Sequence, residues 1–244
     1  MKIEGRNSIY ELLKTDKEID KILVQKNMND ESAKRLINVI KSHKIKIQQV
    51  DKYVIEKESE SKRSQGFIAY VSDYRYFDLQ DLIDGARDKD GLIVVLNEIL
   101  DPHNLGSIIR VCECAGADGI VIAKDRSASV SDTVMRISEG ALNHIKVARV
   151  VNINNAIKEL KDNGYWVYGA EAGGGEMYKT DLTGKIAIVI GGEDSGVKAL
   201  TKKNCDGIIS IPMFGKVNSL NASVACGVVV YEAVRQRLGK IKKS

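Results

Sequence analysis

The chain has 244 residues with 43% hydrophobic and 29% charged side chains, ordinary for a globular protein of one large or two modest domains. No apolar run approaches the roughly 18 residues of a membrane span, and the start, MKIEGRNSIYELLK, lacks the apolar core of a signal peptide, so a cytoplasmic protein is expected. Cys112, Cys114, Cys205 and Cys226 fit neither a disulfide framework nor paired zinc ligands; they read as reduced core thiols, and no metal is expected.

In chain order, the spacing predicts a helix over 6–14, with Ile9, Leu12 and Leu13 on one face, then a strand over 19–25. A helix over 31–43 buries Ala33, Leu36, Ile37 and Ile40, and strands follow at 44–50 and 67–71. These elements make a small α/β domain over 1–75. It carries 16 basic and 12 acidic side chains, which is the whole +4 excess of the chain. A basic module joined to a neutral one suggests a grip on a polyanion, although a solvated lysine-rich face explains the charge equally well. The polar, acidic stretch 76–90 reads as a linker.

From Gly91 the pattern becomes regular α/β alternation. Strands are predicted at 92–98, 119–123, 146–150, 165–170, 185–190 and 207–211, and helices at 104–115, 131–138, 153–164, 197–203 and about 220–238. Near-continuous apolar strands of this kind form a parallel sheet covered on both faces.

Three segments of this second part, residues 91–244, carry candidate chemistry. In NEILDPHNLGSIIR (97–110) a buried strand turns into a helix, placing polar groups where open α/β sheets bind ligands. Asn104 suits a helix cap or a site, Gly106 admits a ligand or a backbone, and Arg110 lies two turns into an apolar helix. In IAIVIGGEDSGV (186–197) a strand runs into Gly191-Gly192 and Glu193, matching neither a P-loop nor GxGxxG. In ISIPMFGKVNSLNASVACGVVVYEAVRQR (209–237), Ser219 and Asn221 sit near the start of a long helix, whose free N–H groups favour electron-rich atoms.

Each segment alone is ambiguous, but their order and spacing closely resemble the three signature motifs of the SpoU/TrmH family of RNA 2′-O-ribose methyltransferases. IEGRNSIYELL and SQGFIA also resemble the substrate-binding domain of the RlmB subgroup, which methylates a guanosine of 23S rRNA. The resemblance implies a knotted carboxyl-terminal α/β domain of the SPOUT type (a trefoil knot), an amino-terminal domain of the ribosomal-protein L30e type, a homodimer with an active site shared between subunits, and RNA as partner. It implies S-adenosylmethionine as methyl donor, contacted around Gly169, Ala170, Gly191, Ile211 and Leu220, and Asn104, Arg110, Glu193, Ser219 and Asn221 as the catalytic set. Many relatives carry Glu-Gly where this chain has Glu193-Asp194-Ser195-Gly196, so the loop shape is expected to differ.

Arg110 is expected to stabilise the developing alkoxide rather than take its proton, since a guanidinium pKa exceeds about 12. Ser219 and Asn221 would fix the hydroxyl, and Glu193 would orient Arg110 or a partner loop. Three other readings remain: the same reaction on transfer RNA, a non-catalytic RNA-binding assembly factor, and a dinucleotide-dependent oxidoreductase, the last lacking its phosphate fingerprint.

Overall fold

The computed structural model describes residues 1–15, 17–28, 30–72, 74–87, 89–192 and 196–241. The chain forms two compact units, Met1–Arg75 and Tyr76–Ser244.

The first unit contains β1 (Lys2–Glu4), α1 (Arg6–Leu12), β2 (Glu18–Gln25), α2 (Glu31–Ser42), β3 (Ile47–Val50), α3 (Lys52–Glu58) and β4 (Phe67–Ser72). Its sheet has the order β1-β4-β2-β3, with β4 antiparallel to both neighbours and β2 parallel to β3. Ile9 and Leu12 of α1 and Ala33, Leu36 and Ile40 of α2 pack on Ile22, Val24, Phe67 and Ala69 of the sheet. Asp30 caps α2 by accepting from the Ala33 N–H, and Arg6 pairs with the same carboxylate at 2.6 Å. The strand expected over 44–50 begins only at Ile47, because Lys44 turns the chain with φ 55°. Neither β1 nor α3 was expected: β1 has only three residues, and α3 buries a single residue, Ile55, so it shows no apolar stripe.

Glu4 at the end of β1 ties down the loop after α3. Its carboxylate accepts from the Ser59 hydroxyl at 2.7 Å, the Glu60 N–H at 2.6 Å and the Ser61 hydroxyl at 2.5 Å. Burial opposes the charge, but hydrogen bonds from Ser61, Ser59 and Glu60 win and hold its pKa down at about 2.

The second unit begins earlier than the sequence suggests. The stretch 76–90, expected to be a linker, carries α4 (Leu79–Gly85), and Leu79, Leu82, Ile83 and Ala86 are buried in the core of this unit. Tyr76 accepts from the Val130 N–H, and Phe77 bridges to Ala148. Acidic residues hid this helix because they occupy its solvent face and its capping box, Asp78 with Asp81.

The remaining elements are β5 (Leu92–Asn97), α5 (Pro102–Cys114), β6 (Gly119–Ala123), α6 (Asp132–Ile137), β7 (Lys146–Val150), α7 (Ile153–Asp162), β8 (Trp166–Glu176), β9 (Ile186–Gly191), α8 (Ala199–Asn204), β10 (Gly207–Ser210) and α9 (Ala222–Ile241). They build one sheet in the order β10-β8-β9-β5-β6-β7, and every pair is parallel. All six residues of β5 are buried, as expected for a strand covered on both faces. β8 is longer than the predicted 165–170. It continues through Gly173-Gly174-Gly175 because Gly175 and Glu176 pair with Ile209 and Ser210 after a register shift. Among the described residues no helix is long and apolar enough to cross a membrane.

α9 lies against α5, where Cys112 and Cys226 are fully buried with their sulfurs 3.9 Å apart. Their mutual hydrogen bond, then burial, pushes the Cys112 thiol pKa up. At the far end of α9, Arg237 donates to the carbonyls of Asp90, Gly91 and Gly184 at 2.8–3.0 Å. Gln236 donates to the Thr180 carbonyl and accepts from the Leu182 N–H.

A pH test follows from Glu4. Its folded pKa lies below the ordinary value of 4.5, so its contribution is fully present above pH 4.5 and is lost as pH falls towards 2. Glu4→Gln is therefore expected to lower stability at pH 7, with the deficit shrinking as pH drops from 4.5. Urea unfolding of both proteins between pH 7 and 3 checks this; a deficit that stays constant or grows in acid contradicts it.

Candidate active site

Parallel strands end on one edge, so β5, β8 and β9 deliver Asn97, Ala170 and Gly191 to the same place. The register pairs Asn97 with Gly191 and Ala170 with Ile190. Beyond this edge lies a cavity of about 250 Å³, just below the range of roughly 300–1,000 Å³ for ligand pockets. Among the described residues its lining comes from three stretches: 170–172 within β8, 190–192 with Gly196 around the end of β9, and 211–225 leading into α9.

Glycine is required here by packing. A side chain at Gly191 would collide with the Gly196–Val197 backbone, and one at Gly192 with the Glu98 carbonyl. The loop closes through Gly196 N–H donating to the Gly192 carbonyl at 2.9 Å. Asn97, almost fully buried, accepts from the Lys198 N–H at 2.9 Å. Glu98 takes a left-handed φ of 63°, an uncommon conformation for a residue with a side chain, and pairs with Lys198 at 2.9 Å. On the other wall Glu171 accepts from the Val197 N–H and pairs with Lys202.

The wall itself is made of small and apolar side chains, Ala170, Ala172, Ile190, Ile211, Leu220, Ala222 and Ala225. Alanines keep the backbone within reach, so a flat apolar group can lie between them while its polar edges meet N–H and C=O groups.

Four of the five residues expected around a donor, Ala170, Gly191, Ile211 and Leu220, line this cavity. Gly169 does not. Its missing side chain makes room for Ile208 of β10. Ser219 lines the cavity beside Asn218. Asn104 and Asn221, 117 residues apart, meet directly: Asn221 Nδ2 donates to Asn104 Oδ1 at 2.8 Å. Asn104 is only 6% exposed and is not the cap of α5. Asp101 is, accepting from the His103 N–H, with Pro102 at the first helical position. The helix thus starts two residues before the predicted 104, and Asn104 lies in its first turn. Asn221 caps α9, accepting from the Ser223 and Val224 N–H groups at 3.0 and 3.4 Å. Gly106 serves helix packing, since a side chain there would meet Ile137 of α6.

Arg110 is not brought to the cavity within one chain. It lies on α5 with its side chain 55% exposed, 3.7 Å from the Glu139 carboxylate. Glu193 falls outside the described residues. Glu171, Ala172, Asn218 and Met213 line the cavity and were not anticipated. For Glu171 the available signal was its place directly after Gly169-Ala170, at the end of a strand. Among the described residues no group of His, Cys, Asp and Glu could hold a metal ion.

Comparison with known proteins gives two family matches. Residues 91–231 match the SpoU rRNA Methylase family, and residues 2–77 match the family of RNA 2′-O ribose methyltransferase substrate binding. A Staphylococcus saprophyticus protein named for the TrmH family of tRNA/rRNA methyltransferases is 41% identical over 96% of this chain and 95% of its own. The AdoMet-bound rRNA methyltransferase from Sinorhizobium meliloti is similar in fold, with a TM-score of 0.61 and 22% identity over 96% of this chain and 86% of that one. The A. aeolicus TrmH/SpoU tRNA modifying enzyme gives a TM-score of 0.58 and 28% identity over 66% of this chain and 83% of that one.

The Asn104–Asn221 contact is open to a double-mutant cycle. Asn221→Ala removes a helix cap and a partly buried hydrogen bond and is expected to cost about 1–2 kcal/mol. Asn104→Ala removes the same bond from its acceptor side, and the two should couple by about 0.5–1.5 kcal/mol in urea unfolding. Strict additivity would mean the two amides do not support each other.

Proposed function

The chain belongs to the SpoU rRNA methylase family of RNA 2′-O-ribose methyltransferases, and we propose that it methylates the ribose 2′-hydroxyl of a guanosine in 23S rRNA, using S-adenosylmethionine held in the cavity at the ends of β8 and β9. The observation that carries this reading is the convergence of Ala170, Gly191, Ile211, Ser219 and Leu220 on one cavity.

The cavity suits the donor. Its alanines and Ile190, Ile211 and Leu220 offer an apolar slot for the adenine, and the backbone of 170–172, 190–192 and 218–220 offers polar partners for its edges. When bound, the donor supplies an electrophilic methyl on a sulfonium. The rest of the chemistry falls to side chains. Transfer to a hydroxyl is an in-line displacement, in which the oxygen–methyl bond would form as the methyl–sulfur bond breaks and the hydroxyl proton leaves to water, so alignment dominates the barrier. Ser219, at the mouth, is positioned to hydrogen-bond the incoming ribose. Asn104 locks Asn221, and through it the start of α9, so the Ser219–Asn221 stretch keeps one geometry. Arg110 supplies a fixed positive charge for the developing alkoxide or the neighbouring phosphate. Glu193 is retained as the acid that orients it.

Arg110 stands apart from the cavity of its own chain, which supports an active site completed by a second subunit. α9 offers the surface for this. Val224, Tyr231 and Leu238 recur every seven residues, fall on one helical face and are each about half exposed. Phe214 is 98% exposed and Val217 72% in the loop before α9. Apolar residues concentrated this way mark an association surface, and a two-fold pair would cover the same patch on both copies.

Support for a ribosomal target comes from the first unit. It carries the net positive charge and matches a substrate-binding family for RNA 2′-O-ribose methyltransferases. The similar S. meliloti rRNA methyltransferase covers 96% of this chain, whereas the A. aeolicus tRNA enzyme covers 66%. Phosphate contacts alone read no sequence, so the nucleotide must be found by mapping.

Three measurements test the reading. Mapping 2′-O-methyl groups in RNA from cells with and without the protein should show one lost guanosine in 23S rRNA; loss only in transfer RNA replaces the target. Arg110→Ala and Arg110→Lys should each slow single-turnover transfer about 100-fold or more while leaving donor affinity intact; near-normal rates would remove Arg110 from the mechanism. Sedimentation at micromolar concentration should give a dimer, and Val224→Glu with Tyr231→Glu should give an inactive monomer. A monomeric, fully active wild type would contradict the shared site.

A further inference from the structure

Among the described residues lining the cavity Glu171 is the one carboxylate, and it sits between two neighbours that hold it. One oxygen accepts from the Val197 backbone N–H at 3.0 Å, and the other pairs with Lys202 of α8. Its side chain is only 24% exposed. Gly196, with φ 56°, lies so close that an added side-chain carbon would come 3.1 Å from the carboxylate. On the opposite side the same Gly196–Val197 backbone presses into the space left by Gly191. The segment is therefore clamped between β9 and Glu171. The next N–H, that of Lys198, is taken by Asn97 of β5. Two consecutive amides thus point at side chains from two strands.

We propose that Glu171 is a positioning residue for the methyl donor: it fixes the Gly196–Val197 wall of the cavity through its bond with the Val197 amide. The inference rests on reading this cavity as the donor site. Lys202 holds the carboxylate at the angle that this bond needs. The role depends on reach and on an acceptor oxygen, not on net charge. Gln at this position keeps both the length and an acceptor. Asp keeps the charge but is one methylene too short to span from β8 to Val197.

The full-length Glu171→Gln, Glu171→Asp and Glu171→Ala proteins separate these cases. Calorimetric titration with S-adenosylmethionine should give Glu171→Gln an affinity within about threefold of wild type and should weaken Glu171→Asp and Glu171→Ala about tenfold or more. Hydrogen exchange over 196–198, measured without donor, should be faster in the Asp and Ala proteins and near wild type in the Gln protein. Affinity for an rRNA fragment should stay within about twofold throughout. Wild-type affinity in Glu171→Asp, an equal defect in Gln and Ala, or unchanged exchange would each overturn the proposal. If the wild type itself binds no S-adenosylmethionine, the donor reading fails, and the exchange series still decides whether Glu171 fixes the wall.

Discussion

The site depends on α9 being held across the full height of the sheet. Gly91 stands immediately before β5 and Gly184 two residues before β9, so Arg237 grips the edge where those strands start. Asn221, at the other end of the helix, meets Asn104 at the edge where they finish. Sixteen helical steps of 1.5 Å separate the two anchors, about 24 Å, which spans a six-residue strand of about 20 Å. Burial raises the cost of leaving the Arg237 charge unsatisfied, and three carbonyl acceptors answer it. A helix fixed at both ends cannot slide, so the loop 211–220 that feeds it is held over the cavity.

That arrangement explains why the cavity is built from small residues. Three stretches of backbone converge from β8, β9 and the loop before α9, leaving little room for side chains. Gly191 and Gly192 are set by contacts with neighbouring backbone, and Ala170, Ala172, Ala222 and Ala225 form much of what remains. Polar side chains enter mainly to hold the frame: Asn97 on Lys198, Glu171 on Val197, Asn104 on Asn221. The rigidity that a displacement reaction needs is thus supplied by groups that need not touch the reacting atoms.

Much of this was legible in the sequence. Both strand-rich segments and nearly every element of the second unit follow from apolar periodicity, because a parallel sheet buried on two faces writes itself as unbroken apolar runs. The failures have local causes. α4 looked like a linker because its acidic residues dominate a count of polarity, although Leu79, Leu82, Ile83 and Ala86 carry helical spacing. The Gly173–Gly175 end of β8 looked like a loop because pairing with β10, not side-chain pattern, makes it a strand. Asn104 and Asn221 could be singled out from helix starts, but not their contact, which joins residues 117 positions apart. Gly169 was one residue out because it makes room for Ile208 of β10, a contact between strands that only the structure shows. Threading of the chain, and hence a knot, leaves no trace in the order of elements.

The position of Arg110 carries the argument furthest. Within its chain it is solvent-exposed on α5, with a carboxylate at 3.7 Å that weakly holds it. A catalytic cation left in water would be screened and mobile, and would contribute little to a transition state. The same side chain, enclosed by a second copy docked on the stripe of Val224, Tyr231 and Leu238, would lose solvent and gain a fixed direction. On this reading association is part of the chemistry. On the same reading the apolar stripe on α9 and Arg110 on α5 would act together, joined inside each subunit by the buried packing of α5 on α9 at Cys112 and Cys226.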